Sequence, residues 1–312
     1  MNFQEFRFKY EKTSVQEYPN CVPNKPLVSV SVVTYQHKNF IKYCLDGIVM
    51  QKTNFPFEIL LGEDASTDGT REICIEYAER YPNLIRLILH DRSNNILIDG
   101  KPTGRFNMLY NLFICRGKYI ALCEGDDYWT DPYKLQKQFD ILESDFSCSL
   151  CAHPFRNYFK NSNDYGPIQL NRFMTLTMMF KNSLPLRDNR FLSLMQMAPH
   201  GDSVIREIMK RKGYLKFIPY IAPAIRIVHD SGRASSLSKE KRLSNSIGTH
   251  KEIMEYFGDH RAVSYHKGKI ALYKLLLLRL QNSRFRYAIK GIYVIYNKIT
   301  LKQYLRIFYY GE

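Results

Sequence analysis

The sequence predicts an α/β fold, in which helices cover a sheet, followed by a helical C-terminal region. Two observations support this prediction. Strand-like and helix-like segments alternate through about residue 145, which is typical of a sheet flanked by helices. The 312 residues are also 45% hydrophobic and 14% aromatic, which is enough to bury a full core.

Four strands are predicted where short runs of β-branched and aliphatic residues are bounded by turn residues. They are Leu27–Val33, Phe57–Leu61, Leu84–Leu89 and Lys118–Cys123. Helices are predicted where apolar residues recur three or four positions apart. They are Lys38–Met50, Ile73–Tyr81, Phe106–Cys115, Tyr133–Leu142 and Val204–Lys212. Asp131 and Pro132 supply an N-cap and a first-turn proline for the helix at Tyr133.

An acidic segment directly follows the fourth predicted strand. Glu124, Asp126 and Asp127 place three carboxylates in four positions. Such a cluster repels itself unless a cation holds it, and hard oxygen ligands suit Mg²⁺ or Mn²⁺. A divalent ion there would neutralise the phosphates of a nucleotide substrate. The alternative is an acidic turn that caps the next helix, but Asp131 can do that alone.

A second pair of acids follows the second predicted strand. Glu63 and Asp64 precede a turn that is rich in capping residues. In open α/β sheets, ligands bind at the edge formed by the carboxyl ends of the strands. Both acidic segments are therefore predicted at a ligand-binding edge. For Ser66, Thr67 and Asp68, capping of the following helix is an equally suitable role.

Three segments together resemble the family 2 glycosyltransferases. Val30–Tyr35, Gly62–Thr70 and Gly117–Trp129 occur in the order and spacing of that family. The resemblance covers about Pro26–Glu143 and is greatest to bacterial members that build cell-surface polysaccharides. It implies a GT-A fold, which is a Rossmann-like mixed sheet flanked by helices. It also implies an inverting, metal-dependent transfer of a sugar from a nucleotide-diphosphate sugar to a saccharide or lipid-linked acceptor.

The resemblance implies a nucleotide-sugar site built by the first two motifs. In the family, the middle acidic motif holds the base of the donor, which assigns that role to Asp64 with Glu63 beside it. Thr34 and Tyr35, at the end of the first motif, are placed at the same nucleotide.

The resemblance implies a metal site in the third motif. The family's D-x-D motif is Glu124-Gly125-Asp126 here, with glutamate in place of the commoner first aspartate. Glu124 and Gly125 would contact the nucleotide sugar, with Glu124 facing the ribose or a metal-bound water. Asp126 and Asp127 would hold the Mn²⁺ or Mg²⁺ ion that bridges the diphosphate. Trp129 is placed on the acceptor side.

An inverting transfer also needs a general base for the acceptor hydroxyl, and a carboxylate from elsewhere in the chain is expected to supply it. The candidate is Asp202, because family members carry a comparable Gly-Asp step. Ser203 replaces the tryptophan that usually follows, and His200 is placed beside Asp202 on the acceptor side. N-capping of the next helix is the alternative role for Asp202, and the two roles can coexist.

A later segment, Ile225–Ser236, resembles the part of the family that closes over the donor. His229 would then be a third contact to the metal or phosphate, and Arg233 would touch the diphosphate. A structural role for His229 is the alternative.

Charge patterning completes the predicted organisation, which is an N-terminal extension (1–26), a GT-A domain (27–236) and a basic, aromatic-rich helical region (237–312). The formal charge of +15 is concentrated at the end, since residues 261–312 hold eleven Lys or Arg against one acid. No uncharged stretch there can span a bilayer, but the basic segments Ile270–Leu280 and Ile289–Tyr310 suit an anionic membrane surface. Packing of these helices on the GT-A domain is the alternative.

Other function classes fit less well. A pI near 9.4 suggests nucleic acid, but the acidic centre and the lack of a recognisable motif argue against that partner. A nucleotidyltransferase would carry a Gly-rich phosphate loop near the first strand, and Thr34–Lys38 is not one. A non-catalytic nucleotide-sugar-binding subunit stays as an alternative. The seven cysteines lack paired zinc spacing, so we expect reduced thiols. The N-terminus lacks a signal peptide, so we expect a cytoplasmic protein that is peripheral on the inner face of the membrane.

Overall fold

The computed structural model describes residues 2–98, 100–230, 232 and 237–281. Its strands are β1 (Gln16–Glu17), β2 (Val28–Thr34), β3 (Phe57–Glu63), β4 (Ile85–Leu89), β5 (Leu97–Ile98), β6 (Lys101–Pro102), β7 (Tyr119–Glu124), β8 (Asp127–Tyr128), β9 (Cys148–Ala152), β10 (Phe155–Phe159), β11 (Asp164–Gln169), β12 (Met179–Lys181), β13 (Tyr214–Phe217) and β14 (Ala224–Val228). Its helices are α1 (Phe3–Tyr10), α2 (Ile41–Val49), α3 (Thr70–Arg80), α4 (Arg105–Ile114), α5 (Lys134–Ser144), α6 (Asn189–Met197), α7 (Gly201–Lys212), α8 (Lys239–Phe257) and α9 (His260–Gln281).

The main sheet confirms the predicted α/β fold. Its strands lie in the order β1-β4-β3-β2-β7-β12-β9-β13. The strands β4, β3, β2 and β7 are parallel, whereas β12 runs antiparallel to both β7 and β9, so the sheet is mixed. The four predicted strands coincide with β2, β3, β4 and β7 to within two residues at each end.

The central strands form because their residues are buried on both faces. β2 and β3 are buried along almost their whole length, as expected for parallel strands that helices cover. α2 buries Ile41, Leu45 and Ile48 in the same core as Val30 and Val32. The loop from β2 to α2 is therefore held at the carboxyl end of the strand.

The register of the sheet brings three strand ends together. Thr34, the last residue of β2, is paired with Glu63 of β3, and Val33 is paired with Glu124 of β7. Because these strands are parallel, their carboxyl ends meet at one edge. Both acidic segments emerge side by side at this edge, as the sequence predicts.

A second, four-stranded sheet fixes the acidic segment from the other side. Its strands lie in the order β11-β10-β14-β8. β8 starts one residue after Asp126, and its Asp127 pairs with Arg226 of β14. The acidic segment therefore joins the two sheets, and β14 leads directly to His229.

The predicted N-terminal extension is part of the main sheet. β1 pairs antiparallel with β4. Arg86 of β4 bridges Glu17 of β1, at 2.9 Å, and the fully buried Glu58 of β3, at 3.2 Å. Phe6 of α1 is buried and stacks on Phe106 of α4 with ring centroids 5.4 Å apart. These contacts join residues that lie far apart in sequence, so local patterns do not reveal them.

The chain divides into two compact units. One contains residues 1–197 and 201–232, and the other contains Ala198–His200 and the chain from Arg233 onward. The second unit carries α8 and α9, so the predicted C-terminal region is helical as far as residue 281. In the part of the chain that the structure describes, every helix is too short or too polar to cross a bilayer. Of the two segments predicted to contact a membrane, Ile270–Leu280 lies in α9, and Ile289–Tyr310 lies outside the described residues.

Candidate active site

The turn after β7 passes directly over the end of β2. The amide of Gly125 donates to the carbonyl oxygen of Val33 at 3.0 Å. A Cβ atom at Gly125 would lie 2.6 Å from Thr34 Oγ1 and 3.0 Å from His37 Nδ1, so only glycine fits here. Thr34 Oγ1 and His37 Nδ1 are hydrogen-bonded at 3.1 Å, which orients the imidazole toward the acidic segment.

Replacing Gly125 by alanine is expected to lower the free energy of unfolding by about 1–3 kcal/mol, the usual cost of adding a methyl group to a packed site. Urea denaturation measures the change. Gly104→Ala is the matched control, because no heavy atom lies within 4 Å of a Cβ atom at Gly104. We expect a change below about 1 kcal/mol for the control. An equal loss in both variants would show that the close approach at Gly125 is not tight.

Asp126 lies beside two histidines. His229 Nε2 is 3.1 Å from Asp126 Oδ2, and His37 Nε2 is 3.9 Å from the same oxygen. The ring of Phe40 packs on His229 with centroids 4.4 Å apart. Burial acts to raise the pKa of Asp126, but the hydrogen bond with His229 and the charge of the two imidazoles outweigh it, so the pKa is lowered. The carboxylate is therefore ionised at neutral pH.

The groups around Asp126 suit a divalent ion that a substrate helps to coordinate. Carboxylate oxygens are ligands of Mg²⁺ and Mn²⁺, and neutral imidazole is a common metal ligand. Among the described residues, no group of three or more His, Cys, Asp or Glu side chains is arranged to hold a metal ion by itself. Mg²⁺ sites commonly combine one or two carboxylates with substrate phosphates. Asp126 and His229 fit that second kind of site.

Asp127 differs from its predicted role as a metal ligand. It is buried, and its Oδ1 accepts a hydrogen bond from the amide of Ile227 on β14 at 3.0 Å. Burial first, and then the neighbouring charges of Asp126 and Glu124, raise its pKa well above the usual range. Asp127 therefore fastens β8 to β14 through this hydrogen bond, a structural role that its prediction as a metal ligand did not include. Glu124, by contrast, is exposed at the end of β7.

Asp64 forms a second polar group at the same edge. It is 1% exposed and accepts hydrogen bonds from Arg92 Nη1 at 2.6 Å and from Asn95 Nδ2 at 3.2 Å. The Arg92 guanidinium also lies 3.8 Å from the ring centroid of Tyr35, which is 37% exposed. Burial raises the pKa of Asp64 to about 6 despite these two donors. An aromatic face, a guanidinium and a buried carboxylate together suit a planar ring that carries N–H groups.

Glu63 also differs from its predicted role. It is fully buried, and its carboxylate accepts the amides of Ala65 at 3.2 Å and Ser66 at 2.6 Å and the Nε of Arg71 at 2.5 Å. Ala65 has a φ of 57°, a left-handed conformation that costs a non-glycine residue about 1–2 kcal/mol. Glu63 therefore stabilises the turn that presents Asp64, and it does not contact a ligand itself.

Trp129, which is predicted on the acceptor side, is almost fully buried, and it also lines a cavity together with Tyr43 and Tyr128. It is 2% exposed, and its indole N–H donates to the carbonyl oxygen of Leu176 at 2.7 Å. The fully buried Lys134 places Nζ 3.6 Å from the ring centroid of Trp129. Burial lowers the pKa of Lys134 to about 7. Trp129 thus anchors the acidic segment to the core.

The remaining predicted residues come from later parts of the chain. Asp202 lies in the first turn of α7, is partly exposed, and so stays a predicted base. α7 packs against β9 and β13, which are on the other side of β7 from β2 and β3. His200 belongs to the second unit, where its amide donates to Thr249 Oγ1 at 3.1 Å. Arg233 lies outside the described residues.

Sequence patterns missed three residues of this edge, which are His37, Arg92 and Asn95. His37 lies just beyond the first motif, and Arg92 and Asn95 follow β4. β4 is parallel to β3, so its carboxyl end meets the same edge. The polar residues that follow the third predicted strand could therefore have indicated that Arg92 and Asn95 lie at this edge.

Comparison with known proteins identifies the family. The family model of Glycosyl transferase family 2 matches residues 29–201, which is over half of the 312 residues. The chain belongs to glycosyl transferase family 2. The matched range includes all three motifs whose resemblance to this family the sequence showed, and it ends one residue before Asp202.

Relatives and solved structures agree with this assignment. The family 2 chain is 27% identical to the putative teichuronic acid biosynthesis glycosyltransferase TuaG of Bacillus subtilis (strain 168) over 144 residues, which are 46% of this chain and 51% of TuaG. The chain spans about half the length of the curated relatives it matches.

Two solved structures share its fold. The mannosyltransferase PcManGT from Pyrobaculum calidifontis, in complex with GDP-Man and Mn²⁺, is similar with a TM-score of 0.54 at 14% identity over 99% of this chain and 95% of that chain. S. aureus TarS 1-349 in complex with UDP is similar with a TM-score of 0.51 at 17% identity over 83% of this chain and 72% of that chain. These likenesses confirm the predicted GT-A fold.

Proposed function

We propose that this family 2 chain is a glycosyltransferase that moves a sugar from a nucleotide-diphosphate sugar to a saccharide or lipid-linked saccharide in the synthesis of a cell-surface polysaccharide. The main support is the pairing of two polar groups at one sheet edge. Asp64, Arg92 and Tyr35 suit a base, while Asp126 and His229 suit a metal-bound diphosphate. The relationship to TuaG and the fold shared with PcManGT and TarS also support it.

The chemistry explains why both groups are needed. Departure of a nucleoside diphosphate from a sugar requires charge neutralisation on the leaving phosphates. An Mn²⁺ or Mg²⁺ ion held by Asp126 and His229 would supply that neutralising charge. We assign the ribose to Glu124, which is exposed at the end of β7, and Thr34 holds His37 beside the diphosphate site.

The acceptor hydroxyl must lose its proton as the new bond to the sugar forms, and we assign that step to Asp202. Asp202 lies in the first turn of α7 and is partly exposed, so its carboxylate can reach a bound acceptor. Attack by the acceptor from the face opposite the leaving diphosphate makes the transfer an inverting one.

Thermal denaturation of the full chain with a panel of nucleotides tests donor binding. With Mn²⁺ present, UDP, GDP or one of their sugar conjugates should raise the melting temperature by several degrees, because a ligand that binds only the folded state stabilises it. EDTA should remove most of the shift. A flat response to every nucleotide would contradict the proposed function.

Nucleotide binding should depend on pH through Asp64. An ionised carboxylate accepts an N–H hydrogen bond from a base, whereas protonation removes that acceptor. The pKa of Asp64 is raised to about 6, so Asp64 is mostly ionised above pH 7 and mostly protonated at pH 5. The affinity for UDP or GDP should therefore be highest above pH 7 and fall about tenfold between pH 7 and pH 5. Isothermal titration calorimetry across this range measures the fall.

Asp64→Asn separates this effect from titration of the nucleotide itself. The variant should bind the nucleotide more weakly at pH 7. Its affinity should change with pH only as far as titration of the diphosphate group changes it. Identical slopes in the variant and the unmodified protein would remove Asp64 from the base-binding role.

We also propose that the basic C-terminal region lies on an anionic membrane surface, where lipid-linked acceptors are accessible. Residues 261–312 carry eleven Lys or Arg against one acid, and each basic residue near such a surface contributes about 1 kcal/mol. The full chain should co-sediment with phosphatidylglycerol vesicles at low salt and be released at high salt, whereas neutral vesicles should not bind it.

Two variants test this attraction. A chain that ends at Gly258 and a full-length chain with Lys298, Lys302 and Arg306 changed to glutamate should both stay in the supernatant. If both sediment like the unmodified protein, the membrane proposal is wrong while the glycosyltransferase proposal is unaffected.

A further inference from the structure

Four tyrosine rings form a row outside the candidate active site. The ring centroid of Tyr43 on α2 is 5.9 Å from that of Tyr128 on β8, and Tyr158 on β10 is 4.9 Å from Tyr165 on β11. The two pairs are brought together because Tyr128 and Tyr158 both pack against the same apolar cluster of Phe40, Ile225 and Ile227. Tyr43 is 58% exposed and Tyr165 is 43% exposed. Clustered rings that face water commonly mark a binding surface.

A cavity adjoins this tyrosine row. Its volume is about 630 Å³, within the range of pockets that bind small ligands, and Tyr43, Tyr81 and Tyr128 line it. Asp46 and Thr130, both exposed, add a carboxylate and a hydroxyl to the wall. The cavity therefore combines aromatic faces with hydrogen-bonding groups.

The tyrosine row is continuous with the candidate active site. Tyr128 and Tyr158 pack on a small cluster that includes Phe40. Phe40 in turn contacts His229, whose Nε2 lies 3.1 Å from Asp126. A chain-like ligand on the tyrosine row would thus run alongside the residues that we assign to the diphosphate.

The chemistry of the tyrosine row and the cavity matches a sugar chain. A sugar ring presents a C–H face, which stacks on an aromatic ring, and a rim of hydroxyls, which bond to carboxylates and hydroxyls. Tyrosine offers an apolar face with a polar tip. Asp46 Oδ1 accepts the hydroxyl of Tyr77 at 2.5 Å and Thr130 donates to the carbonyl oxygen of Pro223 at 2.8 Å, so each can still accept a hydrogen bond from a sugar hydroxyl. The phosphates of a nucleic acid would be repelled by the carboxylate of Asp46.

We propose that the tyrosine row and its cavity bind a saccharide chain. Recognition of a saccharide here is independent of the function proposed above. That this saccharide is the acceptor or the product of the transferase rests on the proposed function.

Binding of short oligosaccharides of glucose, galactose, mannose and N-acetylglucosamine to the full chain tests the proposal, by saturation-transfer NMR and calorimetry. At least one should bind, and Tyr43→Ala and Tyr165→Ala should each weaken it about tenfold, the effect of losing one ring contact. Both side chains are exposed, so the variants should fold. Phe8→Ala is the matched control, because Phe8 is a 94% exposed ring on α1, and it should leave binding unchanged.

Three results would overturn the proposal: no binding by any oligosaccharide of the panel, binding that neither tyrosine variant weakens, or displacement of the sugar by oligo-dT, which would assign the surface to nucleic acid. UDP and GDP titrations on the same samples separate the two proposals. Oligosaccharide binding that the tyrosine variants weaken, in a protein that binds no nucleotide, would support this site and contradict the transferase function.

Discussion

Replacing Asp126 by alanine is expected to reduce sugar transfer by more than about 100-fold and to abolish metal-dependent nucleotide binding. Asp126 Oδ2 is the atom that His229 and His37 approach, at 3.1 and 3.9 Å, so its loss removes the proposed anchor of the ion. Transfer rates and nucleotide affinities measured with and without Mn²⁺ test this.

The fold should survive this change. The Asp126 side chain is 21% exposed, so its truncation leaves no large cavity and the midpoint of urea unfolding should change little. Asp140→Ala on α5 is the matched control, because it removes an exposed carboxylate that bonds only to Gln136 among the contacts that the structure describes, at 2.8 Å. If Asp126→Ala kept the Mn²⁺ dependence of the unmodified protein, the ion would have to bind elsewhere.

Asp202→Asn should leave donor binding intact while the transfer rate falls on the order of 100-fold or more, as expected for loss of a general base. Asp202 lies inside the first turn of α7, where the loss of its negative charge should cost only about 0.3–1 kcal/mol, so the variant should still fold. Steady-state kinetics should show a lower kcat with a nearly unchanged KM for the donor.

The matched control for Asp202→Asn is Glu207→Gln on the same helix. Glu207 pairs with Lys210 at 2.7 Å, so this variant removes one carboxylate charge from α7 without touching its first turn. Its kcat should stay close to that of the unmodified protein. Near-normal turnover of Asp202→Asn would instead show that Asp202 is not the general base, and another residue would have to supply it.

The main sheet could be predicted from sequence because its central strands carry their own signal. β2, β3, β4 and β7 are buried on both faces and are rich in β-branched and aliphatic residues, and their carboxyl ends necessarily share an edge because they are parallel. β1 carries no such signal. It consists of Gln16 and Glu17, both exposed, and it depends on Arg86 of β4 for its bridge to the sheet.

Placing residues at the edge proved easier than predicting which way their side chains face. Trp129 follows the acidic segment, yet its indole reaches Leu176, a partner that lies 47 residues later. Glu63 is adjacent to Asp64 but bonds to its own turn. Such choices depend on tertiary partners, which one-dimensional patterns do not contain.

Asp68 has a structural role at the start of α3, although the N-cap residue itself is Gly69. Its Oδ1 accepts the amide of Thr70 at 3.0 Å at the start of α3, and its Oδ2 accepts the amide of Lys38 at 3.0 Å. The hydrogen bond to Thr70 joins residues that are close in sequence, so a sequence pattern can predict it. The hydrogen bond to Lys38 joins residues that are far apart in sequence, so a local pattern cannot.

Release of nucleoside diphosphate from a panel of UDP- and GDP-sugars, with saccharide acceptors and Mn²⁺ present, tests sugar transfer most directly. We expect the full chain to release UDP or GDP from at least one donor, EDTA to stop the reaction, and Asp126→Ala and Asp202→Asn to lack it. Turnover that persists in EDTA and in both variants, or the absence of release from every donor by a folded protein, would contradict the proposed glycosyltransferase activity.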